Sequence, residues 1–147
     1  MHFYLYLCVN KDVYWEVELE AEVAVKEVVI NACDPWNAIE SSLTNSVVSL
    51  FDDYGIEVAS YNLAGLTPQE LINITNQNFT NTLPRTMTKK VRIDWMGNSR
   101  QVSLKEVQVL DWDGNDVAFN RPVNQQPASH GGYEKEKSVD GNETTRT

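Results

Sequence analysis

Side-chain types on which many enzymes and nucleic-acid-binding proteins depend are scarce in this 147-residue chain. Only 12 Lys and Arg accompany 21 Asp and Glu, so the net charge is -9 with neutral histidine. This charge opposes direct binding to nucleic acid or to an anionic membrane, since both are negatively charged. The two histidines, His2 and His130, lie near the termini, where they complete no metal site and activate no nucleophile. We therefore expect no metal, no cofactor and no enzymatic activity.

Long apolar runs are also missing. No segment reaches the roughly 18 apolar residues of a membrane span, and no positively charged segment precedes an apolar stretch at the N-terminus. The two cysteines, Cys8 and Cys33, are too few for a disulfide framework and lie among apolar residues, as reduced thiols do. These absences predict a soluble cytoplasmic protein.

A period of two dominates the first third of the chain. Apolar residues occupy the odd positions from Val13 to Val25, while glutamates fill even positions, and this alternation predicts a half-buried strand. The phase changes near Lys26. A straight strand of twenty residues would span about 66 Å, which is longer than a compact domain of this size. We therefore expect a bulge, a bend or a hairpin near Lys26, and a further strand over residues 2–9.

Two helices are expected in the middle of the chain. Asp34 and Pro35 fit the N-cap and first residue of a long helix that ends at Gly55. Its buried stripe would comprise Trp36, Ile39, Leu43, Val47, Leu50 and Tyr54. Residues 56–63 then predict a strand, and the capping box at residues 67–70 predicts a short second helix that ends near residues 76–78.

The last part of the chain predicts hairpins and then a tail. Residues 93–98 and 110–115 resemble each other and both end in Gly-Asn, a pair that reverses antiparallel strands, so residues 88–119 are predicted as a β-meander. Few apolar residues follow. The predicted fold is a single α+β domain over residues 1–119, mainly an antiparallel sheet packed against one long and one short helix, with a C-terminal β-meander and a disordered polar tail over residues 120–147.

Aspartates offer the only candidates for carboxylate chemistry. The run from Asp111 to Asp116 places oxygen ligands at alternate positions but lacks the glycine and glutamate of an EF-hand, so a hairpin turn is the favoured interpretation. Asp52 and Asp53 fall near the predicted helix end, where the helix dipole disfavours them. A hydrolase that uses Asp52, Asp53 or Asp111 with a borrowed metal is the enzymatic alternative.

Basic residues concentrate in one segment. The stretch from Arg85 to Lys105, with Trp95 and Trp112 nearby, has the composition of a surface that stacks single-stranded nucleic acid. The negative charge of the whole chain opposes that function. The alternative is that the segment neutralises an acidic strand beside it in the fold.

The leading functional hypothesis rests on four alternating glutamates. On a regular strand they would project in one direction about 6.7 Å apart, close to the spacing of phosphates along a nucleic-acid strand. We expect the four to form a partner-binding site: Glu16, Glu18, Glu20 and Glu22. The alternative is that these charges only keep an edge strand soluble.

The expected function is that of a small acidic, non-enzymatic binding protein that presents its carboxylates to a basic site on a partner protein. In charge and size, though in no motif, the chain is similar to the acidic anti-restriction and anti-CRISPR inhibitors of mobile elements such as phages. That likeness implies an inhibitor or a nucleic-acid mimic, and the net charge predicts that it binds neither nucleic acid nor membrane directly. A subunit that joins a larger assembly by strand pairing is a further alternative.

Overall fold

The computed structural model describes residues 13–32, 46–64, 66, 71–81, 87–95, 104–126 and 135–141. In this part of the chain the regular elements are seven strands and one 3₁₀ helix. They are β1 (Val13–Ala32), β2 (Ser46–Phe51), β3 (Glu57–Asn62), β4 (Leu71–Thr75), β5 (Met87–Trp95), β6 (Leu104–Asp111), β7 (Val123–Gln126) and the 3₁₀ helix Lys135–Val139.

The long strand β1 organises a curled antiparallel sheet. Its first half pairs with β5 on one side and β7 on the other, and the order β3-β2-β5-β1-β7 forms the major half of the sheet. Its second half pairs with β4 and β6, which form the minor half. Buried side chains from both halves form one hydrophobic core, which includes Trp15, Val28, Leu50, Ile93 and Val107.

Strand β1 follows its sequence pattern closely. Val13, Trp15, Val17 and Leu19 are buried as the alternation predicts. The register with β6 shifts by one residue between Val25 and Glu27, which confirms the bulge predicted near Lys26 and excludes a hairpin there. After this bulge the buried positions are even-numbered: Val28, Ile30 and Ala32.

The α+β class is wrong, because the described residues contain no α-helix. Residues 46–51, assigned to the long helix, form strand β2, which pairs with β3 and β5. Residues 33–45 lie outside the described residues. Val47 and Leu50 match helical spacing, but β2 also contains the β-branched Val48 and is paired on both sides, so long-range pairing overrides the local pattern.

The short second helix is also wrong. Residues 71–75 form β4, in which Ile72 and Ile74 are buried while Leu71 and Asn73 are exposed, a period of two and not of 3.6. Its capping box at residues 67–70 lies outside the described residues, as does the strand predicted over residues 2–9. The strand predicted over residues 56–63 is confirmed as β3.

The predicted meander is wrong in its pairing. Strands β5 and β6 do not pair with each other, because each pairs with a different half of β1. The first of the two predicted turns lies outside the described residues. The second is confirmed, since Asp111–Asn115 reverses the chain and an isolated bridge joins Leu110 to Asp116.

The chain beyond Asn120 contributes to the fold in two places. Strand β7 pairs with residues 14–17 of β1. The 3₁₀ helix contacts β6 and β7, and its Ser138 and Val139 are buried. For these two segments the predicted disordered tail is wrong, because backbone pairing and a few buried side chains order a polar sequence.

The described residues show no helix long and apolar enough to cross a membrane. Cys8 and Cys33 lie outside the described residues, so the cytoplasmic location that rested on them stays a prediction.

Candidate functional site

A second, larger irregularity interrupts β1 in the middle of the glutamate run. Glu18 pairs with Lys90 of β5, whereas Val23 pairs with Thr88, so four residues of β1 face a single residue of its partner. We call residues 19–22 the β1 bulge. Lys89 Nζ donates a hydrogen bond to the backbone carbonyl of Glu20 at 3.0 Å. This contact fixes the bulge against β5.

Glu16 is neutralised before the bulge begins. Its Oε1 accepts a hydrogen bond from Arg92 at 3.0 Å, and its Oε2 lies 3.7 Å from Lys90 Nζ. Asp94 accepts from Arg92 Nε at 3.0 Å, and the guanidinium lies 3.9 Å from the ring centroid of Tyr14. The alternative interpretation of the basic segment, that it neutralises the acidic strand, is therefore confirmed for Lys90 and Arg92.

The side chains of this cluster also shift the pKa of Arg92. Partial burial works to lower its pKa, but the hydrogen bond and charge of Asp94, with the charge of Glu16, outweigh that effect and raise it. A guanidinium held in this way stays charged and serves as a structural link between β5 and β1.

The four glutamates do not form a regular row. Glu16 is 16% exposed in its side chain and ion-paired, whereas Glu18, Glu20 and Glu22 are exposed, with the register broken between Glu18 and Val23. Because the bulge interrupts the strand, the uniform spacing expected along β1 is absent.

The bulge meets the turn that connects β2 to β3. Glu22 Oε2 accepts a hydrogen bond from the backbone N–H of Asp53 at 2.9 Å. In that turn Asp52 Oδ1 accepts the N–H groups of Tyr54 and Ile56 at 2.8 and 3.0 Å. Asp52, one of the candidate catalytic carboxylates, therefore has a structural role as the anchor of a turn.

A similar turn follows β6. Asp111 Oδ1 accepts the N–H groups of Asp113 and Asn115 at 2.9 and 2.8 Å, and Gly114 adopts a φ of 85°, which glycine tolerates best. The N–H of Asn115 is the main cause that lowers the pKa of Asp111, and it outweighs the opposing effect of burial. The hairpin-turn interpretation is confirmed.

Asp116 closes the base of the same turn. Its Oδ1 accepts the N–H groups of Val109 and Ala118, both at 3.1 Å. Burial raises the pKa of Asp116, although these two hydrogen bonds act in the opposite direction. The side chain therefore supports the turn from within the fold.

A cavity opens beside this turn. It measures about 360 Å³ and is lined by Val23, Ala24, Asp111, Trp112 and Asp113. Trp112 is 39% exposed. The volume of the cavity lies near the lower end of the range of small-molecule sites, and the cavity is widely open to solvent, with more polar than apolar surface in its lining.

Lys26 contacts the indole of Trp112. Its ammonium lies 5.7 Å from the ring centroid, which is a cation–π geometry. The residue at which the phase of β1 changes therefore also supports the wall of the cavity.

The described residues contain no group of three or more His, Cys, Asp or Glu side chains arranged to hold a metal ion. The oxygens of Asp111 instead accept hydrogen bonds from its own turn, including one from the Asn115 side chain at 3.3 Å. A turn whose carboxylate is occupied in this way does not have the arrangement of a calcium loop.

Comparison with known proteins finds solved structures with a similar fold. No protein-family model matches the sequence, and no curated protein matches it significantly. Among solved structures, the lectin domain of lectinolysin complexed with Lewis B antigen is similar, with a TM-score of 0.57 and 21% identity over 69% of this chain and 66% of that one. The fold is similar to that of a lectin domain.

A second similar structure is the fucose-binding module SpX-3 of Streptococcus pneumoniae, with a TM-score of 0.53 and 23% identity over 69% of each chain. The present chain spans just under two thirds of the length of the lectinolysin domain. At these identities the likeness establishes the fold alone.

The comparisons overturn the hypothesis of an acidic inhibitor that binds a basic protein. The two similar structures are a lectin domain complexed with Lewis B antigen and a fucose-binding module, and nothing in the described residues supports mimicry of DNA or a role against host defence. The hypothesis weighed net charge and glutamate spacing, which describe a surface and not a fold.

Sequence reasoning did not identify the exposed aromatic residues. Tyr54 was placed on the buried stripe of a helix but is 86% exposed. Trp112 was considered only as a core residue or a nucleic-acid contact. The sequence contains one signal that both residues lie on exposed turns. Residues 52–55 and 111–114 share the pattern Asp-x-x-Gly, and aspartate and glycine are typical of turns.

Proposed function

We propose that this chain is a carbohydrate-binding module that binds a sugar in the cavity beside Trp112 and leaves it chemically unchanged. The observation that carries the proposal is the exposed indole in a cavity of about 360 Å³, on a fold similar to that of two carbohydrate-binding domains. A likeness of fold does not by itself assign a function, so the cavity has to supply the chemistry.

The lining of the cavity suits a sugar ring. One face of a pyranose presents C–H groups, which pack on the flat surface of an aromatic ring, while its hydroxyl groups need hydrogen-bond partners at the edge. Trp112 supplies the aromatic surface. Asp113, which is exposed beside it, supplies a carboxylate that accepts hydrogen bonds from hydroxyl groups.

Preorganisation supports the same function. The hydrogen bonds of Asp111 fix the turn, and the ammonium of Lys26 lies over the indole ring. Because these contacts form without ligand, less conformational freedom is lost on binding.

Binding without catalysis agrees with the electrostatics. Glycoside hydrolysis needs a carboxylic acid whose raised pKa keeps it protonated near neutral pH, together with a second carboxylate. Hydrogen bonds lower the pKa of Asp111, so this side chain is ionised and anchors the turn instead of donating a proton. Burial raises the pKa of Asp116, but this side chain does not line the cavity and accepts hydrogen bonds from Val109 and Ala118 within the fold.

The exposed glutamates of the β1 bulge lie close to the cavity in sequence. Glu22 directly precedes Val23, which lines it. The assignment of Glu16, Glu18, Glu20 and Glu22 as binding residues stays a prediction. In the proposed function these glutamates would contact a sugar and not a protein. Glu16 is the least suited of the four to bind it, because its carboxylate already contacts Arg92 and Lys90.

A glycan array tests the proposal. The array carries fucose, the Lewis b tetrasaccharide and a broad set of other glycans, and the purified chain is expected to bind at least one class. Trp112→Ala is expected to weaken that binding at least about tenfold, which corresponds to about 1.4 kcal/mol. Trp112→Phe, which keeps an aromatic surface, is expected to retain part of it.

Leu71→Ala is the matched control. Leu71 is 51% exposed and pairs with Asn31 near the C-terminal end of β1, away from Val23 and Ala24 of the cavity, so its loss should leave glycan binding unchanged. Thermal melting of each variant verifies folding. Absence of binding to every glycan by the wild-type chain, or full binding by a folded Trp112→Ala variant, contradicts the proposal.

A further inference from the structure

The turns at residues 52–56 and 111–115 share one hydrogen-bond pattern. In each, Oδ1 of the first aspartate accepts the N–H groups two and four residues later. In each, the glycine N–H donates to the carbonyl of that aspartate, at 3.1 Å in both cases. Gly55 and Gly114 have φ angles of 78° and 85°. The two turns are therefore copies of one local structure on different strands.

Both turns flank the same short segment of β1. Glu22 accepts a hydrogen bond from Asp53 of the first turn, while Val23 and Ala24 line the cavity with Trp112 of the second. Strand β5 lies between β2 and β1, so two strand spacings of about 4.8 Å place the first turn roughly 10 Å from the β1 backbone that lines the cavity. A ligand that reaches both must be longer than one sugar ring.

Each turn exposes one aromatic ring. Tyr54 is 86% exposed on the first turn, and Trp112 is 39% exposed on the second. A tyrosine this exposed contributes little to the core of its own domain, and exposed aromatic residues are enriched where proteins meet ligands.

Charge at this end of the molecule restricts the ligand further. Five exposed carboxylates belong to the β1 segment and the two turns: Glu18, Glu20, Glu22, Asp53 and Asp113. Three cations lie at the same end of the molecule: Lys26 over the Trp112 ring, and Lys89 and Arg121, which donate hydrogen bonds to the carbonyls of Glu20 and Glu18. The five carboxylates outnumber them, so the local charge is negative. An anionic ligand would be repelled here, whereas a neutral or cationic one would not.

We propose that the Tyr54 turn is a second sugar subsite, so that the ligand is a linear oligosaccharide, neutral or amine-bearing, which lies across the β1 bulge and contacts Tyr54 and Trp112 together. This inference rests on the proposed function and extends it, because the cavity beside Trp112 alone would be satisfied by a single sugar ring.

Binding as a function of glycan length tests the second subsite. The probes are defined glycans from monosaccharides to hexasaccharides, in neutral, amine-bearing, and sialylated or sulfated forms, followed by calorimetry with the strongest binder. The wild-type chain is expected to bind the longer neutral or amine-bearing glycans at least about tenfold more tightly than their monosaccharides. Tyr54→Ala should remove that advantage and leave monosaccharide binding unchanged.

Trp112→Ala should weaken binding at every length, and Leu71→Ala at none. Because Tyr54 is almost fully exposed, its substitution should not alter folding, so loss of binding reports the subsite. If wild type binds monosaccharides and longer glycans equally, or if Tyr54→Ala has no effect on longer ones, the second subsite is wrong while the proposed function stands. A preference for sialylated or sulfated glycans overturns the charge argument, and absence of all glycan binding overturns both proposals.

Discussion

One buried hydrogen bond connects the C-terminal 3₁₀ helix to the first strand of the fold. The indole N–H of Trp15 donates to Ser138 Oγ at 2.8 Å, and both residues are fully buried. Ser138→Ala removes the hydroxyl and leaves the indole N–H without this acceptor in the core. The expected loss is about 1–3 kcal/mol of unfolding free energy.

Urea denaturation of wild type and Ser138→Ala measures this loss. For a domain of this size each kcal/mol also lowers the melting temperature by about 2–4 °C. Trp15→Phe removes the donor, so the same Ser138→Ala change made in that background should be less costly by about 1 kcal/mol. This double-mutant cycle separates the hydrogen bond from other effects of the two substitutions.

A small effect would refute the reasoning. Exposed substitutions usually change stability by less than about 0.5 kcal/mol. If Ser138→Ala falls within that range, or costs the same with and without Trp15, residues 135–139 are not part of the stable fold.

Two further predictions concern carboxylates. Hydrogen bonds lower the pKa of folded Asp111 below 3.8, so its ionised form stabilises the fold above that pH and the contribution is lost as the pH falls through the folded pKa. The destabilisation caused by Asp111→Asn, measured by urea denaturation, should therefore shrink at acidic pH, and a difference that does not vary with pH contradicts this assignment. Glu16→Gln should cost about 1 kcal/mol because it weakens contacts with Arg92 and Lys90, whereas Glu20→Gln, the exposed control, should cost almost nothing in the same assay. Equal effects of the two changes would argue against the ion pairs.

Strand β1 was predictable because its signal is local. Alternating burial from Val13 to Leu19 and the phase change near Lys26 both follow from side-chain periodicity, and the structure reproduces them. The larger bulge at residues 19–22 has no such signal, because the alternation of glutamate with apolar residues continues through it. Its position depends on contacts with residues distant in sequence, such as Lys89.

The helical predictions failed where local and long-range information disagreed. Residues 46–51 place Val47 and Leu50 at helical spacing and show no regular alternation, and only pairing with the neighbouring strands β3 and β5 makes them a strand. Strand β7 was missed for a related reason: Asn124 and Gln126 are polar and exposed, and its place in the sheet depends on backbone hydrogen bonds that composition does not report.

The candidate site was predictable only in part. Sequence reasoning identified the glutamates and the turn at residues 111–115, yet it could not predict that Trp112 is exposed while Trp15 and Trp95 are buried. Exposure depends on which face of which strand an aromatic residue occupies, and that information appears only after the strands have paired.

Strand β1 pairs with β4, β5, β6 and β7, all of which follow it in the chain, and this has a consequence for synthesis of the protein. During translation β1 leaves the ribosome long before β7 and residues 135–139, which complete its surroundings. Most contacts join residues far apart in sequence, a topology associated with slow folding. The hydrogen bond of Trp15 therefore forms only after residues 135–139 have been made, and until then the incomplete core exposes apolar surface of the kind that chaperones bind.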